Sequence, residues 1–368
     1  MGSNAINAET WAAIPFHFWS VTIFILGCGV GSFLNVCIYR MPRSESLGWS
    51  VLQCPRCHSR ATWYLNLPLI NWLGLRGRCA NCSAPIPFRY FFVELLTGSA
   101  FLGAWLTFGH QAPLVALCYC LLLAGFVAGA FIDFEHLIIP DEITLGGMAS
   151  GLVLSFLAPG LHRAIKPAQA LERSFWGMVI GAGVLYAVLR GAKVFLGQEK
   201  WVLEPDSRVA FGEHGLKLPD REVLFEELFC RKSDAIELQA KSVRMGERTW
   251  ENQTVRLTPI RLTVGEEHFD PESVTNLEVV AGEIVVPREA MGLGDVKLLA
   301  AIGAFLGWQG ALFALMFGCV IGVLASVGVY LIRRREWPRR IAFVPYLAMA
   351  ATLWIFGGKE AVEWWLYH

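Results

Sequence analysis

The segment Met291-Gly292-Leu293-Gly294-Asp295-Val296-Lys297 puts an acidic residue at the start of an apolar run. A second apolar run ends at another acid, in Ala130-Phe131-Ile132-Asp133-Phe134-Glu135-His136-Leu137-Ile138-Ile139-Pro140-Asp141. Charge is unusual at such places, and the glycines before Asp295 let backbone and partner side chains approach its carboxylate closely. If both ends lie on the same side of a membrane, Asp133 and Asp295 can meet.

The composition indicates a membrane protein. The chain has 368 residues, of which 55% are hydrophobic, and a mean hydropathy of +0.46, too apolar for an ordinary soluble enzyme. Its first fifteen residues contain no Lys or Arg and so lack the basic start of a secretory signal. We therefore expect the first apolar run to be retained, in an α-helical polytopic membrane protein of about eight transmembrane helices.

Eight apolar runs are long enough, or nearly so, to cross about 30 Å of hydrocarbon. The runs at 142–158 and 296–308 are shorter than the usual span of about 20 residues, so they are expected to be tilted, shared with neighbours or partly re-entrant. The eight runs are 16–39, 90–108, 113–132, 142–158, 174–196, 296–308, 310–332 and 341–357.

Arginine placement predicts the orientation. The segment 40–90 contains seven arginines and a single acid, Glu45, so it should be cytoplasmic, with the N-terminus outside. The arginine-rich connector at 333–340 agrees with this orientation, because the orientation places it in the cytoplasm. The basic residues of 159–173 do not agree, because the same orientation places them outside. With this topology, Asp133 and Asp295 both lie at the cytoplasmic boundary of the membrane.

These patterns divide the chain into five regions. The polar region at 197–290 should be a small β-rich cytoplasmic insert, because 254–257, 260–264, 277–280 and 282–286 alternate as strands do, while its first half is charged and irregular. A partly disordered linker is the alternative. The other regions are a first transmembrane helix (1–39), a cytoplasmic zinc-binding loop (40–89), helices two to five with Asp133 (90–196), and helices six to eight with Asp295 (291–368).

Two Cys-x-x-Cys pairs, Cys54 with Cys57 and Cys79 with Cys82, are spaced as in zinc ribbons. Four thiolates would fill a tetrahedral Zn²⁺ site and leave no open position, so the metal would be structural. Such a metal contributes on the order of 10 kcal/mol to the folding of a small unit. Inert reduced cysteines or two local disulfides are the alternatives.

The two aspartates can form an acid–base pair. Two carboxylates about 4 Å apart at an effective dielectric constant of 20 repel by about 4 kcal/mol, so one of them would keep its proton near neutral pH. Aspartic proteases use such a pair to activate water against a peptide bond. The alternative is that Asp133 and Asp295 are solvated residues at helix ends.

Two further polar residues lie in apolar runs. Asn35, in Gly31-Ser32-Phe33-Leu34-Asn35, can form hydrogen bonds between helices, and packing or a substrate-side role both account for it. Glu94 is an ionisable group inside a span and is therefore a functional candidate.

Taken together, these motifs resemble those of the type IV prepilin leader peptidases, bacterial inner-membrane aspartic proteases of the GxGD type that are often also N-methyltransferases. The resemblance covers nearly everything outside the insert. It follows the family's order through GSFLNVCIYR, the cysteine pairs, FRYFFVELLTG, IDFEHLIIPD, MGLGDVKLLAAIGAFLGW and the late Pro345-Tyr346. The insert is larger than the short connector of typical members.

The resemblance implies Asp133 and Asp295 as the catalytic pair that removes the basic leader of type IV prepilins or type II secretion pseudopilins at the cytoplasmic face. It also implies methylation of the new N-terminal residue from S-adenosylmethionine, with the Gly77 region as a candidate for that second activity. The expected partners are these substrates and membrane lipids, with no nucleic acid. The alternatives are a peptidase without methyltransferase activity, as in preflagellin peptidases, and an ion or metal transporter.

Overall fold

The computed structural model describes residues 15–43, 45–46, 57, 68–196, 198–203, 207–212, 215–218, 222–225, 235–246, 248–271, 277–287, 292–333, 342–358, 360, 362 and 364. The chain divides into two compact units, one formed by Met1–Tyr186 with Leu293–His368 and the other by Ala187–Gly292. The first is helical and the second is mainly β.

Seven main helices were found in the described residues. Five are long and apolar enough to cross a membrane, and α4 and α7 are shorter. The prediction of a helical membrane protein is confirmed, and the number of eight transmembrane helices stays a prediction. The helices are α1 (Phe16–Arg40), α2 (Phe88–Phe108), α3 (Pro113–His136), α4 (Asp141–Leu157), α5 (Pro167–Leu196), α6 (Leu293–Arg333) and α7 (Val344–Leu353).

Glycines allow the helices of the first unit to pack closely. A Cβ atom at Gly27 of α1 would lie 2.9 Å from the Cα of Gly98 on α2, so neither helix could stay in place if it were present. A Cβ atom at Gly177 of α5 would lie only 2.1 Å from the carbonyl oxygen of Gly303 on α6. Small residues at such crossings are typical of membrane helices, whose association depends on van der Waals contact.

Helix α6 contains a break at Gly307, where φ is 74° and ψ is 177°. In a membrane, carbonyl oxygens released by such a break need partners from the protein. Ser174 donates to the carbonyl oxygen of Ala304 at 2.6 Å, and His162 Nε2 lies 3.1 Å from the same oxygen and 2.9 Å from Ser155 Oγ. The break lies where the sequence predicts the end of one apolar run, at 308, and the start of the next.

The second unit contains one antiparallel sheet, which confirms the predicted β-rich insert. Strand β9 lies in the centre of the sheet and pairs with β5 on one side and with β1 and β2 on the other. From β9 the sheet continues through β5, β6, β7 and β8 in one direction and through β2, β3 and β4 in the other. The strands are β1 (Gln198–Val202), β2 (Arg208–Phe211), β3 (Gly215–Lys217), β4 (Glu222–Leu224), β5 (Ile236–Met245), β6 (Arg248–Thr258), β7 (Arg261–Val264), β8 (Glu267–Phe269) and β9 (Leu277–Pro287).

The sheet has its own apolar core, which includes Val209, Leu238, Val255, Leu262 and Ile284. The sequence predicts an irregular first half of the insert, whereas its described residues contain β1 to β4 and most of β5. Strands of three to five residues, such as β3, are too short to show alternation in the sequence. The first and last residues of the sheet lie together, since Gln198 of β1 pairs with Pro287 of β9.

Candidate active site

Asp133 lies in the last turn of α3, with only 6% of its surface exposed. The helix ends at His136, and the next residue, Leu137, has a left-handed backbone (φ 55°) and donates its N–H to the carbonyl oxygen of Asp133 at 2.9 Å. The Asp133 carboxylate accepts the backbone N–H of Val344 at 3.0 Å, and Phe343 is a second backbone donor. Because Val344 is the first residue of α7, Asp133 binds N–H groups that have no partner within that helix.

Asp295 lies in the first turn of α6 and is 8% exposed. Its segment is held against the connector that follows α3. A Cβ atom at Gly294 would lie 3.1 Å from the Ile139 side chain, so the glycine allows close approach of the two segments. Lys297 Nζ forms an ion pair with Asp141 Oδ1 at 2.5 Å.

The structure thus brings together the two segments that carry the predicted catalytic residues. The segment of Asp295 contacts Ile139 and Asp141, which follow Asp133 across the short turn between α3 and α4. Both aspartates are buried, which does not support the alternative of two residues in full contact with solvent. The formation of one acid–base pair by Asp133 and Asp295 stays a prediction.

An ion pair that no sequence pattern predicts joins α2 to the end of α3. Arg89 Nη1 binds both carboxylate oxygens of Glu135, two residues after Asp133. The Phe92 and Phe131 rings also pack with their centroids 6.2 Å apart. These contacts show that α2 and α3 run antiparallel, with the start of α2 beside the end of α3. Residues so far apart in sequence gave no signal that could have paired them.

Three of the four predicted zinc ligands lie together. The Sγ atoms of Cys57, Cys79 and Cys82 lie within 4.8 Å of one another, and Cys57 and Cys79 are 3.9 Å apart without a disulfide. Sulfur atoms of a tetrahedral zinc site with bonds of about 2.3 Å are separated by about 3.8 Å. The three cysteines therefore fit zinc, and Cys54 lies outside the described residues.

The turn that carries Cys79 is built by the backbone. The Cys79 N–H donates to the carbonyl oxygen of Ala84 at 2.8 Å, and the Ser83 N–H donates to the carbonyl oxygen of Cys79 at 3.0 Å. Just before it, Gly77 has φ +66°, and a Cβ atom there would lie 3.0 Å from the Trp72 ring. Gly77 is thus required by the conformation of this loop.

Asn35 and Glu94, the two polar candidates within spans, both lie between α1 and α2. Asn35 Nδ2 donates to the carbonyl oxygen of Tyr90 at 3.1 Å. Glu94 Oε2 accepts the backbone N–H of Leu69 at 2.7 Å, which ties the cysteine-bearing loop, between its two Cys-x-x-Cys pairs, to α2. Asn35 is 1% exposed and Glu94 is 9% exposed.

Comparison with known families agrees with this architecture. The profile of the bacterial peptidase A24 N-terminal domain matches residues 25–108, which include α2 and the cysteine cluster. The profile of the type IV leader peptidase family matches residues 120–202 and 272–327, which include both aspartates. Residues 203–271, within the β-rich unit, are left out of that second match.

Several proteins named prepilin leader peptidase/N-methyltransferase are similar to the chain. The Aeromonas hydrophila protein is 26% identical over 387 residues and 98% of each chain, and the Dickeya chrysanthemi protein 27% identical over 363 residues and 91% of each chain. The Myxococcus xanthus (strain DK1622) protein is 43% identical over 150 residues, 40% of this chain and 44% of its own. No solved structure matches significantly. The matched profiles and the full-length similarity show that the chain belongs to the type IV leader peptidase family.

Proposed function

We propose that the protein is a bifunctional membrane enzyme. As an aspartic endopeptidase it removes the basic leader of type IV prepilins or type II secretion pseudopilins, and as a methyltransferase it then methylates the new N-terminal residue. The observation that carries the proposal is the buried Asp133 beside the connector that binds the Asp295 segment. It occurs in a chain whose full-length relatives are named for both activities.

In the proposed peptidase reaction, Asp133 and Asp295 share one proton. The ionised carboxylate takes a proton from a water molecule as the water oxygen attacks the scissile carbonyl carbon. The protonated carboxyl group gives its proton to the leaving nitrogen, and the carbon–nitrogen bond breaks. The N–H of Val344 holds the Asp133 carboxylate in one orientation, so less reorganisation is needed during the reaction.

The proposed location is the bacterial inner membrane, with the N-terminus outside and the aspartates at the cytoplasmic boundary. The arginines of the 40–90 segment support this orientation. The basic leader would stay in the cytoplasm and the apolar start of the mature pilin would enter the membrane. This arrangement brings the cleavage point to the depth of the catalytic pair.

The proposed zinc site is structural and consists of Cys54, Cys57, Cys79 and Cys82. The clustering of the three described sulfur atoms supports it. Zinc bound there would fix the segment that leads through Leu69 and Trp72 to α2. S-adenosylmethionine would supply the methyl group for the second reaction, and the Gly77 region stays the candidate for its binding.

The experiment is cleavage of a synthetic prepilin by the full-length protein in lipid vesicles, with transfer of labelled methyl scored separately. Asp133→Asn and Asp295→Asn should each lower cleavage by about a hundredfold or more, because loss of an acid–base group costs at least that much. Asp270→Asn, an exposed change in the β-rich unit, is the matched control. Undiminished cleavage by the double Asp133→Asn, Asp295→Asn variant would overturn the proposal.

The methyl signal distinguishes the bifunctional enzyme from a peptidase alone. Labelled methyl should appear on the cleaved pilin only when S-adenosylmethionine is present. Cleavage without any methyl transfer by the wild-type protein would establish the peptidase-only alternative.

A further inference from the structure

Asn35 presents a buried acceptor that lacks a donor. Its Nδ2 donates to the carbonyl oxygen of Tyr90, and because a carbonyl can only accept, this contact fixes the orientation of the amide. The remaining atom, Asn35 Oδ1, is fully buried and has no hydrogen-bond partner in the described part of the chain. A buried oxygen without a donor destabilises a protein, so native structures rarely retain one without a reason.

Glu94 provides a second acceptor nearby. Its carboxylate accepts the Leu69 N–H and has Ser32 as a further hydrogen-bond partner. Among the described residues, no Lys, Arg or His forms an ion pair with it. A carboxylate can accept about four hydrogen bonds, so this one has acceptor capacity left.

The two acceptors belong to one cluster at the α1–α2 interface. Gly31 faces Glu94, since a Cβ atom at Gly31 would lie 2.7 Å from the Glu94 Cα, and Asn35 faces Tyr90. Each pair is one helical turn from the other along two antiparallel helices. Ser32 and Asn35 are three residues apart and therefore lie on the same side of α1.

The cluster also lies near the depth of Asp133. On α2, Arg89 pairs with Glu135 and Phe92 packs on Phe131, so the part of α3 that contains Asp133 lies beside the turn between Arg89 and Phe92. Tyr90, which binds Asn35, lies within that turn, and Glu94 lies one turn deeper. A chain end produced at the catalytic aspartate therefore needs little movement along the membrane normal to reach the cluster.

We propose that Ser32, Asn35 and Glu94 form a binding site for a primary ammonium group. An ammonium has three N–H donors and one positive charge, which complement the Asn35 amide oxygen, the Glu94 carboxylate and the Ser32 hydroxyl oxygen. The inference rests on the proposed methyltransferase function, which involves two such groups. One is the new α-ammonium of the cleaved pilin, and the other is the amino group of S-adenosylmethionine.

Two variants separate this role from a structural one. Glu94→Gln keeps an oxygen for the Leu69 N–H but removes the charge, so a purely structural Glu94 tolerates it. Asn35→Leu removes the unpartnered oxygen, and with it the Nδ2 donor, at similar volume. Because the Tyr90 carbonyl lies inside α2, where the helix backbone provides a donor, a purely structural site also tolerates this change. Thr97→Val is the matched control, because Thr97 is equally buried on α2 and its hydroxyl is satisfied by the Val93 carbonyl.

The first measurement is binding to the full-length protein in lipid vesicles. The probes are a peptide with the apolar start of a mature pilin, with a free or an acetylated N-terminus, and S-adenosylmethionine. We expect the wild type and Thr97→Val to bind the free-amine peptide, or S-adenosylmethionine, about tenfold or more tightly than Glu94→Gln does. A loss confined to the free-amine peptide assigns the site to the methyl acceptor, and a loss confined to S-adenosylmethionine assigns it to the donor.

The second measurement is the ratio of methyl transfer to leader cleavage in one sample. We expect this ratio to fall about tenfold or more in Glu94→Gln, with a rise in KM for the same compound whose binding is lost. The inference would be overturned if Glu94→Gln bound all three probes with the same affinity as the wild type. If Glu94→Gln does not fold, the same affinities measured for Asn35→Leu and for the wild type would overturn the inference. A wild type that binds the probes but transfers no methyl group contradicts the proposed function, while the binding measurement still decides the ammonium site.

Discussion

At the scale of single residues, Asp133 has both a structural and a proposed chemical role. Its carboxylate accepts backbone N–H groups at the start of α7, so it fixes that helix while it is also part of the proposed catalytic pair. Removing the charge and removing the acceptor are therefore different experiments. The distinction matters for interpreting any inactive Asp133 variant.

We predict that Asp133→Ala destabilises the protein and that Asp133→Asn does not. Asparagine keeps an oxygen for the Val344 N–H, whereas alanine leaves that buried donor unpaired, at a cost of about 1–3 kcal/mol. Thermal unfolding of the purified protein in detergent should show a lower Tm for Asp133→Ala alone. Equal Tm values for the two variants would show that the contact with α7 adds no stability.

Zinc content gives a second prediction at this scale. Cys79→Ser removes one of three clustered thiolates, so the purified protein should lose its zinc, which we expect at about one ion per chain in the wild type. Cys319→Ser, an exposed change in α6, should keep it. Atomic absorption measures the zinc content. A Cys79→Ser protein with as much zinc as the wild type would contradict the proposed zinc site.

The identity of the candidate site residues could be predicted from the sequence, and their partners could not. Asp133, Asp295 and the cysteines stand out because acids at the ends of apolar runs and paired Cys-x-x-Cys motifs are unusual. The partner of Asp133 is a backbone N–H of Val344, a group that every residue except proline has and that no sequence pattern marks. Asn35 was recognised as a polar residue in a span, but its unpartnered Oδ1 is visible only once α2 is in place.

At the scale of elements, the packing of α5 on α6 depends on two glycines. Gly177 and Gly303 bring the two backbones so close that each occupies the position of the other's missing Cβ atom. The break at Gly307 lies one turn further along α6, where side chains of neighbouring segments bind the released carbonyl of Ala304. This end of the bundle is therefore held by backbone contact and polar side chains.

We predict that Gly177→Ala destabilises the helical unit and that Gly183→Ala does not. A Cβ atom at Gly177 would lie 2.1 Å from a backbone oxygen, whereas one at Gly183, on the same helix, would meet nothing within 4 Å. The expected loss is about 1–3 kcal/mol, typical of overpacking. Thermal unfolding of the two variants in the same detergent tests this, and an equal Tm would contradict the close crossing.

Helices were easier to predict than strands for a physical reason. Long apolar runs fixed α1 to α3 to within a few residues, and Pro140 marks where α4 begins. Strands β2, β3 and β4 have three or four residues each, and their register depends on pairing with distant β9 and with one another. Such pairings leave no local period in the sequence.

At the scale of the whole molecule, the chain consists of a helical unit with the candidate site and a β-rich unit with its own core. All proposed catalytic, zinc-binding and ammonium-binding residues belong to the first unit. The sheet of the β-rich unit begins and ends on paired strands, because Gln198 lies opposite Pro287. Paired Cα atoms in such a ladder are only about 5 Å apart.

We predict that replacing residues 199–286 with a short Gly-Ser linker leaves leader cleavage intact. Two or three residues can join the ends, and the helical unit keeps all its described contacts around Asp133. Cleavage of the synthetic prepilin in vesicles should stay within a few-fold of wild type. A folded, membrane-inserted variant without cleavage would instead show that the β-rich unit takes part in substrate recognition.

The pairing of β1 with β9 also bears on how this chain could have arisen. A domain that leaves and re-enters its host at neighbouring points can be acquired, enlarged or lost by one in-frame genetic event, with no compensating change elsewhere. Residues 203–271, which the family profile skips, lie between those two strands. A change of length in this region therefore needs no matching change in the helical unit, which carries all the proposed site residues.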